Sequence, residues 1–575
     1  MKLKQNKTKP KIYAFDTEDN SKGKAFLFNF YEISSGTHHT FKNRRDALDF
    51  VFGHTRAIFW AVNLAYDINN LFRGEFACLN YTFAGSRLLQ ADIVDDAGKK
   101  CGVKFLDTLN HWPMSVKEMG KRIGLEKLEM KHTGRVSYSP KMIEYCKRDT
   151  EITGRFVEKM QKVYDKIGLR LKMTVASTAL DFFQREYYGG KIFHQFTEEQ
   201  IDFFHTGYYG GRTEIFFNKP IEGNIFYHDI NSLYPAICRD GVFPHLSEFY
   251  ETNVPNFEFE GVADVECIAP TGLNIPYLPA RQEGKLIFPL GNFRGVYTYF
   301  EIREAKKLGY EVKNVYRAVE FTGTTNPFKK YIDDLYKLRL KAQKEKDDLM
   351  QLSFKNLMNH CYGKFAQGNE VEKLVPLKSH TLKSGDVILF DLVLTKVKEK
   401  YPDYANCIWS MYVTAQARHK LYEALNKVQN SGGLLLYCDT DSVIYEAPKQ
   451  LLEDSKNLGE FKLENRLAFA HFKLPKLYAI REKKRDRMKI KAKGVPKSDE
   501  KGPTDKYVRN FFLYGTAKFK KPNKLRETLR RNLSPKNKIK LVPNFWEMRE
   551  KSISQRYDKR IVDEKGFTRP IVLNN

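Results

Sequence analysis

The chain has 575 residues, several times the length of a typical domain, which predicts two or more domains around a large core. Lys and Arg outnumber Asp and Glu by 97 to 70, and with 42% hydrophobic and 14% aromatic residues this charge of +27 belongs to a folded protein. The composition excludes a small stapled scaffold and a disordered tail. It favours a polyanionic partner, although a solvated lysine-rich surface would have the same composition.

The cysteines and the N-terminus restrict the type of protein further. The eight cysteines are dispersed without a CxxC pair, which indicates neither a zinc site nor a disulfide framework and fits a reducing host cytoplasm. The first residues, MKLKQNKTKPKIYAFDTED, lack a signal-peptide core. No run approaches the ~18 apolar residues of a membrane span. We therefore expect a soluble protein without a targeting or transmembrane segment.

The N-terminal part reads as an α/β block of about 190 residues. KIYAFDTE and KAFLFNFYEI, within residues 11–33, predict two strands joined at 19–23. RAIFWAVNL (56–64) and GVKFLDTL (102–109) predict two more. A helical pattern over 139–165 opens at Ser139-Pro140.

The second half reads as a discontinuous domain. Strand patterns surround HDINSLYP (228–235) and GLLLYCDTDSVIYEA (433–447), and a strongly helical stretch lies between them at about 327–358. The final 75 or so residues are basic, as in KFKKPNKLRETLRRN (518–532). They predict either a nucleic-acid clamp or a solvated surface.

One carboxylate set lies in the N-terminal block. Asp16 and Glu18 are two residues apart on a strand, so both project from the same face. Asp67 follows the third strand, and Asp149 lies on a helix with Tyr145 one turn earlier. Such a set could hold two Mg²⁺ ions that activate water against a phosphodiester, with Tyr145 orienting the water. An exposed turn is the alternative for any single acid.

A second set lies in the other half. Asp439 and Asp441 are at the tip of a predicted hairpin, and Asp229 ends a strand run before Ser232-Leu233-Tyr234-Pro235, where the proline stops the strand. Lys355, Asn359 and Tyr362 follow the i, i+4, i+7 spacing of one helix stripe, which suits a triphosphate and a base or sugar. An ordinary turn and a surface stripe are the alternatives.

Together these motifs resemble the family B DNA polymerases. DxxSLYP at 229–235, KxxxNxxYG at 355–363 and YCDTDS at 437–442 are similar to the three polymerase motifs of that family. The elements at 16–18, 63–67 and 145–149 are similar to its three exonuclease motifs, in the expected order. A Tyr-x-Gly-Gly joint at 208–211 and the compact size resemble the protein-primed group of bacteriophages and linear plasmids. The resemblance covers nearly the whole chain.

The resemblance implies a mixed α/β and α+β multidomain fold, with an RNase H-like 3′–5′ exonuclease domain and a right-hand polymerase carrying two protein-priming-type insertions. The implied domains are the exonuclease domain (1–190), the first part of the palm (191–245), the first insertion (246–328), the fingers (329–366), the second insertion (367–404), the second part of the palm (405–499) and the thumb (500–575).

For the polymerase half, the resemblance implies that Asp229 and Asp441 ligate two Mg²⁺ ions, which Mn²⁺ can replace, with Asp439 in support. Nucleotide-binding roles are implied for four residues: Tyr234, Arg339, Lys355 and Tyr362. DNA-binding roles are implied for nine: Tyr208, Gly210, Gly211, Ser232, Gly363, Thr414, Arg418, Lys476 and Tyr478. The family commonly has Asn-Ser-x-Tyr-Gly where this chain has His360 after Asn359, which puts contacts at that position in doubt.

For the exonuclease half, the resemblance implies catalytic roles for Asp16, Glu18, Asp67, Asp149 and Tyr145, with Asp16, Glu18 and Asp149 as metal ligands. Four residues would hold the frayed primer end: Asn63, Tyr66, Thr108 and Leu109. The family's catalytic lysine corresponds to either Lys127 or Lys131.

The implied partners are a DNA primer-template, deoxynucleoside triphosphates and a terminal priming protein, which the first insertion would guide. The second insertion would support processivity and strand displacement. We expect a monomer. A DNA-primed repair polymerase is the alternative enzyme, and a non-catalytic DNA-binding scaffold is a third reading, which the complete set of seven acids argues against.

The sequence YYGG occurs twice, at 187–190 and 208–211. The second copy precedes the first polymerase motif and predicts the joint between synthesis and proofreading. The first copy ends a helical run, where Gly189-Gly190 predicts a helix stop and Tyr187 a packing role.

Overall fold

The structure, a computed structural model, describes residues 9–20, 24–73, 75, 78–84, 87–95, 98–130, 138–192, 194–389, 392–484, 488–496, 506–522 and 546–574. The N-terminal block contains β1 (Lys11–Asp19), β2 (Ala25–Glu32), β3 (Thr37–Phe41), α1 (Arg44–Phe52), β4 (Ala57–Ala61), α2 (Leu64–Leu71), β5 (Leu79–Ala84), β6 (Arg87–Val94), β7 (Lys100–Asp107), α3 (Val116–Ile123), α4 (Pro140–Lys166), α5 (Val175–Glu186) and α6 (Glu198–Thr206). The predicted strands β1, β2, β4 and β7 and helix α4 are confirmed. Three further strands were missed, of which β3 is short and has no buried residue.

Strand β1 lies inside a seven-stranded sheet with the order β3-β2-β1-β4-β7-β6-β5. It pairs antiparallel with β2 and parallel with β4. Helix α4 begins where the side chain of Ser139 accepts a hydrogen bond from the backbone N–H of Met142, with Pro140 in the first turn. Because α4 packs against β1 and β2, it brings its own acidic residue beside those of β1.

The next part of the chain contains β8 (Thr213–Ile215), β9 (Ile221–Ile230), α7 (Leu233–Asp240), β10 (Phe243–Pro244), β11 (Phe249–Thr252), β12 (Glu260–Ala269), β13 (Ala280–Gln282), β14 (Lys285–Ile287), β15 (Leu290–Thr298), α8 (Tyr299–Lys307), β16 (Glu311–Phe321) and β17 (Thr324–Thr325). The prediction that Pro235 stops the strand is wrong. Strand β9 already ends at Ile230, and Pro235 lies in the first turn of α7, where a missing N–H costs no helical hydrogen bond.

Helices and a small sheet follow: α9 (Lys329–Lys344), α10 (Asp348–His360), β18 (Glu370–Pro376), β19 (Val387–Leu389), β20 (Leu392–Lys398) and α11 (Ile408–Asn430). The predicted helical stretch is broken in two, because Lys346 has a left-handed φ of 58° and Asp347 caps α10 through the N–H of Met350. Tyr362 lies beyond α10 in a 3₁₀ turn, so the predicted single helix stripe ends at Asn359.

The remaining elements are β21 (Leu434–Asp439), β22 (Ser442–Glu446), β23 (Phe461–Leu474), β24 (Leu477–Glu482), β25 (Met488–Ala492), α12 (Lys506–Tyr514), β26 (Thr516–Pro522), β27 (Trp546–Ser552), β28 (Ile561–Val562), β29 (Thr568–Arg569) and β30 (Val572–Asn574). A second seven-stranded sheet has the order β25-β24-β23-β9-β22-β21-β8. Strands β21 and β22 form the predicted hairpin, and Thr440 at its tip has a left-handed φ of 64°. Strands separated by about 200 residues thus meet in one sheet.

The C-terminal residues pack against the middle part of the chain. Strand β30 pairs parallel with β15, so it becomes the edge of the sheet β11-β16-β12-β15-β30. The hydroxyl of Tyr557 accepts a hydrogen bond from the backbone N–H of Ile215 at 3.0 Å, and the hydroxyl of Thr568 donates to the Ile215 carbonyl at 2.8 Å. The C-terminal segment 555–574 is therefore bound to both the sheet of β15 and strand β8.

The two halves share a hydrophobic core. One cluster of buried side chains includes Trp112 and Phe156 of the N-terminal block, Tyr331 of α9, Leu357 of α10 and Trp409 of α11. The sheet of β1 has a separate cluster that is made only of residues between Tyr13 and Phe105. Among the described residues, no helix is long and apolar enough to cross a bilayer.

Candidate active sites

The first site gathers the predicted acids of the N-terminal block. One carboxylate oxygen each of Asp16 and Glu18, together with the Sγ of Cys146, lie within 4.8 Å of one another. Asp67 approaches from α2, where its Oδ1 accepts from the backbone N–H of Thr17 at 3.0 Å and from the Thr17 hydroxyl at 2.7 Å. The alternation of β1 points Thr17 to one face and the two acids to the other. Cys146 was missed by sequence reasoning because nothing in YCKRD marks the thiol.

Burial makes this site electrostatically unfavourable without a cation. Desolvation and the charge of Asp149 raise the pKa of Asp16 to about 7. Desolvation, Asp16 and Asp149 raise the pKa of Glu18 to about 9. Burial also raises the pKa of Asp67 and of Asp149. Groups that repel one another in this way favour protons or divalent cations, and an oxygen-rich set suits Mg²⁺.

The structure places one of the two candidate lysines, Lys127, at the first site. Lys127 forms an ion pair with Asp149, and its Nζ lies 4.4 Å from the centroid of the Tyr145 ring. Desolvation lowers the pKa of Lys127, but the interactions with Asp149 and Tyr145 raise it by more, so the pKa of Lys127 is raised overall. Lys131 lies outside the described residues. A lysine, a tyrosine and a carboxylate of α4 thus meet at the rim of the first site.

The four predicted primer-end residues differ in exposure. Asn63 is exposed with a left-handed φ of 64°, while Tyr66 and Leu109 are half-buried. Thr108 is fully buried and its hydroxyl donates to the Ala61 carbonyl at 3.2 Å, so its role at the primer end stays a prediction.

Sequence reasoning also missed Asp107, which holds these segments together. Its carboxylate accepts from the backbone N–H groups of Asn63 at 3.2 Å, Leu64 at 3.2 Å and Leu109 at 2.9 Å. Asp107 is the last residue of β7, directly before a 3₁₀ turn, and an acid at that position is a recognisable capping signal.

The second site lies where β9, β21 and β22 meet. Ser442, directly after Asp441, is the pairing partner of Asp229, so the sheet register brings the two predicted acids to the same place. Desolvation, Asp441 and Glu464 raise the pKa of Asp229 to about 7. Burial and Asp439 raise the pKa of Asp441. Glu464 on β23 is a further acid that the sequence motifs did not mark.

Asp439 is already neutralised by protein groups. Its carboxylate accepts from Lys476 at 2.8 Å and from the Thr213 hydroxyl at 3.0 Å. Among the residues that the structure describes, Asp439 forms an ion pair and Asp229 and Asp441 do not, which fits a supporting position for Asp439. Tyr478, for which a DNA contact is predicted, is 5% exposed, and its ring packs against Tyr437 and Phe472. The DNA contact stays a prediction.

The predicted nucleotide-binding residues surround this site on one side. The rings of Tyr234 and Tyr362 lie 4.9 Å apart, and Lys355 is exposed and close enough to lower the pKa of Asp229. Arg339 donates to the Ser232 hydroxyl at 3.0 Å, and Ser232 has a left-handed φ of 53°. A Cβ added at Gly363 would have no neighbouring atom within 4 Å among the described residues.

His360 stays at the surface. Its Nδ1 lies 2.7 Å from the Asn356 carbonyl within the last turn of α10.

The second YYGG contacts the β21–β22 hairpin directly. A Cβ on Gly211 would lie 2.7 Å from the Oγ1 of Thr440, so only glycine fits there, whereas Gly210 is exposed and open. Tyr208 is half-buried, and Tyr209 stacks on Tyr297 with ring centroids 5.8 Å apart.

Thr414 and Arg418, for which DNA contacts are predicted, both have buried side chains, and their contact with DNA stays a prediction. Arg418 donates to the carbonyls of Tyr209 at 2.6 Å and Gly210 at 3.1 Å, and it pairs with Glu301 at 2.6 Å. Its burial in a helix could not be read from the VTAQAR pattern. Arg418 therefore fixes the Tyr-x-Gly-Gly joint from within the protein.

The first YYGG has different surroundings. Tyr187 packs edge-on against Phe182 and Tyr331, and Tyr188 packs against Trp409. Helix α5 ends at Glu186, and Gly189 has a left-handed φ of 78°. Its aromatic residues thus join α5 to α9 and α11.

Comparison with known proteins agrees with this arrangement. The sequence model of the family "DNA polymerase type B, organellar and viral" matches residues 112–431, more than half of the chain. The chain belongs to this family. The family B relatives include the DNA-directed DNA polymerase of Enterobacteria phage PRD1, 28% identical over 396 residues, which are 65% of this chain and 66% of that protein. A probable DNA polymerase of Podospora anserina is 27% identical over 409 residues, 62% of this chain and 33% of its own length. This chain thus spans just under two thirds of the first relative and a third of the second.

A solved structure has the same fold. Phi29 DNA polymerase, in a complex with primer-template DNA and incoming nucleotide substrates, matches with a TM-score of 0.74 at 18% sequence identity, covering 95% of this chain and all of that one. The predicted mixed α/β multidomain fold is confirmed.

Proposed function

We propose that the protein is a DNA-directed DNA polymerase with a separate 3′–5′ exonuclease site, serving the replication of a viral or linear-plasmid genome. The observation that carries this proposal is the presence of two buried carboxylate sites on two different sheets of one family B chain. Each has a lysine within its electrostatic reach, Lys127 at the first and Lys355 at the second. The solved complexes of phi29 DNA polymerase with primer-template DNA and with single-stranded DNA support the substrates.

In the polymerase site, Asp229 and Asp441 would hold two Mg²⁺ ions, which Mn²⁺ could replace. Such ions would supply neutralisation of the phosphate charge and activation of the primer 3′-hydroxyl. Asp439 stays paired with Lys476 and fixes the hairpin tip. Lys355 contacts the nucleotide phosphates, and Arg339 contacts them after releasing the Ser232 hydroxyl.

Tyr234 and Tyr362 form the floor of the nucleotide pocket. Their rings lie 4.9 Å apart and are largely enclosed, so a 2′-hydroxyl has little room there. This arrangement selects deoxynucleotides.

In the exonuclease site, Asp16, Glu18 and Asp149 hold the cations. Lys127, beside Tyr145 and Asp149, keeps Tyr145 in place to align the water and neutralises charge that builds up on the phosphate. Asn63, Tyr66 and Leu109 hold the frayed end, and Asp107 fixes the backbone of both segments.

The DNA path and the domain roles follow from these sites. We assign residues 1–190 to the exonuclease domain, 191–245 and 405–499 to the palm, 329–366 to the fingers and 500–575 to the thumb. Residues 246–328 and 367–404 are the two insertions, of which the first guides a terminal protein that supplies the priming hydroxyl. Tyr208, Gly210 and Lys476 lie along the DNA. The enzyme acts as a monomer in the host cytoplasm.

Primer extension by the purified protein with Mg²⁺ and deoxynucleotides tests the two activities. Asp441→Ala should abolish extension and spare the degradation of single strands, whereas Asp16→Ala should do the reverse. Loss of both activities in a well-folded Asp441→Ala protein would contradict separate sites.

Covalent labelling tests the priming step. A co-expressed terminal protein should acquire radiolabelled nucleotide in the presence of the wild-type enzyme and not of Asp441→Ala. Extension of DNA primers with no labelled protein on any template would favour the DNA-primed repair alternative.

A further inference from the structure

A thiol lies inside the exonuclease carboxylate site. Cys146 is on α4, between Tyr145 and Asp149, and is fully buried. Its Sγ lies 3.8 Å from the Oδ2 of Asp16 and 3.8 Å from the Asp16 carbonyl oxygen. The same sulfur and one carboxylate oxygen each of Asp16 and Glu18 form a group whose members lie within 4.8 Å of one another. Three potential ligands of a single ion thus converge at this point.

A second feature indicates that this group favours a cation. Asp149 is 5% exposed, and among the described residues its buried Oδ1 has no hydrogen-bond partner, while its other oxygen pairs with Lys127. The charge of Asp149 acts on both Asp16 and Glu18, so its carboxylate lies close to the same group. Such an oxygen gains most from a positive ion, because a buried unpaired acceptor is costly.

Sulfur changes which ion this site prefers. Mg²⁺ requires oxygen ligands in octahedral geometry, and a thiol adds little to its binding. Zn²⁺ and Cd²⁺ bind thiolate strongly, and Zn²⁺ takes sulfur at ~2.3 Å and carboxylate oxygen at ~2.0–2.2 Å in tetrahedral sites. Ligand atoms around such an ion lie roughly 3.5 Å apart. Side-chain movements of about 1 Å would therefore bring the three observed ligand atoms to these distances.

We propose that Cys146 makes the exonuclease site a trap for thiophilic divalent cations, with Asp16 and Glu18 as its carboxylate ligands. On coordination the sulfur–metal bond forms and the thiol proton is released to solvent. The trapped ion displaces Mg²⁺ and stops degradation while synthesis continues. This proposal rests on the exonuclease function proposed above.

The polymerase site lacks such a thiol. Cys438 precedes Asp439 on β21, but successive side chains of a strand point to opposite faces. The thiol of Cys438 lies near Arg212 and Glu214 instead, on the side away from the catalytic acids. The two sites should therefore differ in their sensitivity to Zn²⁺.

Cation binding can be measured without any activity. Cys78 and Cys101 are the two cysteines that are not buried, so the full-length Cys78→Ser/Cys101→Ser protein serves as the reference. Titration with Cd²⁺ should produce the ultraviolet charge-transfer absorption of one Cd–thiolate bond per chain. Adding Cys146→Ser should remove it, and adding Asp16→Asn, which keeps the thiol, should weaken Cd²⁺ binding at least tenfold. Absorption of equal strength and affinity in both variants would overturn the proposal.

Inhibition then tests the consequence. With Mg²⁺ constant, the Zn²⁺ concentration that halves single-strand degradation should rise at least tenfold in Cys146→Ser relative to the reference protein. The Zn²⁺ concentration that halves primer extension should be the same in both proteins. Equal Zn²⁺ sensitivity of degradation would overturn the proposal, whereas absence of Mg²⁺-dependent degradation in the reference protein would overturn the exonuclease function and leave the Cd²⁺ measurement valid. Cys146→Ala provides a second variant if the serine variant does not fold.

Discussion

The two carboxylate sites differ in how the repulsion between their acids is offset. In the exonuclease site, four acids repel one another and Lys127 pairs with just one of them. In the proposed polymerase site, Lys476 pairs with Asp439 and offsets part of the charge by which Asp439 raises the pKa of Asp441. The exonuclease site therefore depends more on bound cations, and the polymerase site more on the protein groups that hold its hairpin. Five predictions test this difference, in order of decreasing effect.

Replacing Lys127 should disable one site only. Lys127→Ala removes the positive charge beside Asp149 and Tyr145, and we expect single-strand degradation to fall by about 10²–10³-fold with extension unchanged. Lys117→Ala, which removes an exposed ion pair with Glu129, is the matched control. Equal loss in both variants would contradict a specific role.

Replacing Lys476 tests the hairpin side of the comparison. Lys476→Ala leaves Asp439 without its ion pair next to Asp441, and we expect extension to fall by about 10²-fold with degradation unchanged. Steady-state primer extension measures the effect, and Lys489→Ala on the neighbouring strand β25 is the control. A Lys476→Ala enzyme with normal extension would show that Asp439 needs no counter-charge.

A buried ion network also distinguishes the two halves. Glu214 on β8 pairs with Arg212 at 2.7 Å and with Arg560 of the C-terminal segment at 3.5 Å, and the Arg212 carbonyl accepts from the N–H of Thr440. Arg560→Met should lower the free energy of unfolding by about 3 kcal/mol and reduce extension about tenfold, because it leaves a buried acid with one partner fewer.

Arg569→Met is the control for that change, because Arg569 is exposed. Chemical denaturation and primer extension measure the two effects. An equal effect on degradation would mean that the network stabilises the whole chain rather than the hairpin.

The two YYGG copies should differ by a smaller factor. Tyr208→Ala should shift the ratio of degradation to extension several-fold, because Tyr208 lies in the joint that contacts the hairpin. Tyr187→Ala should lower the melting temperature and leave that ratio unchanged. The ratio is measured on one primer-template at several nucleotide concentrations, and equal shifts in both variants would contradict the assignment.

The smallest expected effect is a pH dependence of metal binding. The pKa values of Asp16 (about 7) and Glu18 (about 9) are raised, so at pH 6 protons occupy the site and Mg²⁺ must displace them. The stabilisation by Mg²⁺ relative to EDTA should therefore increase from pH 6 to pH 9. Thermal melts measure it, and an Asp16→Asn/Glu18→Gln protein should show a weaker dependence.

The sequence predicted the acids well and their surroundings poorly. Asp16, Glu18, Asp229 and Asp441 were identified because spacing on a strand or at a hairpin tip determines where a side chain points. The burial of Thr108, Thr414, Arg418 and Tyr478 was not predicted, because polar side chains in a motif do not reveal how they pack. Contacts between distant segments, such as Lys127 with Asp149 or Arg560 with Glu214, depend on packing that no local pattern specifies.

The C-terminal segment imposes an order on the folding of the protein during its synthesis. Ile215 obtains its hydrogen-bond partner from Tyr557, 342 residues later, whereas the core on one face of the β1 sheet is made of residues up to Phe105. At ~5–20 residues per second, a ribosome makes Tyr557 roughly 20–70 s after Ile215. That face of the β1 sheet can therefore pack on the ribosome, while strand β8 beside the β21–β22 hairpin waits for nearly the whole chain to be translated.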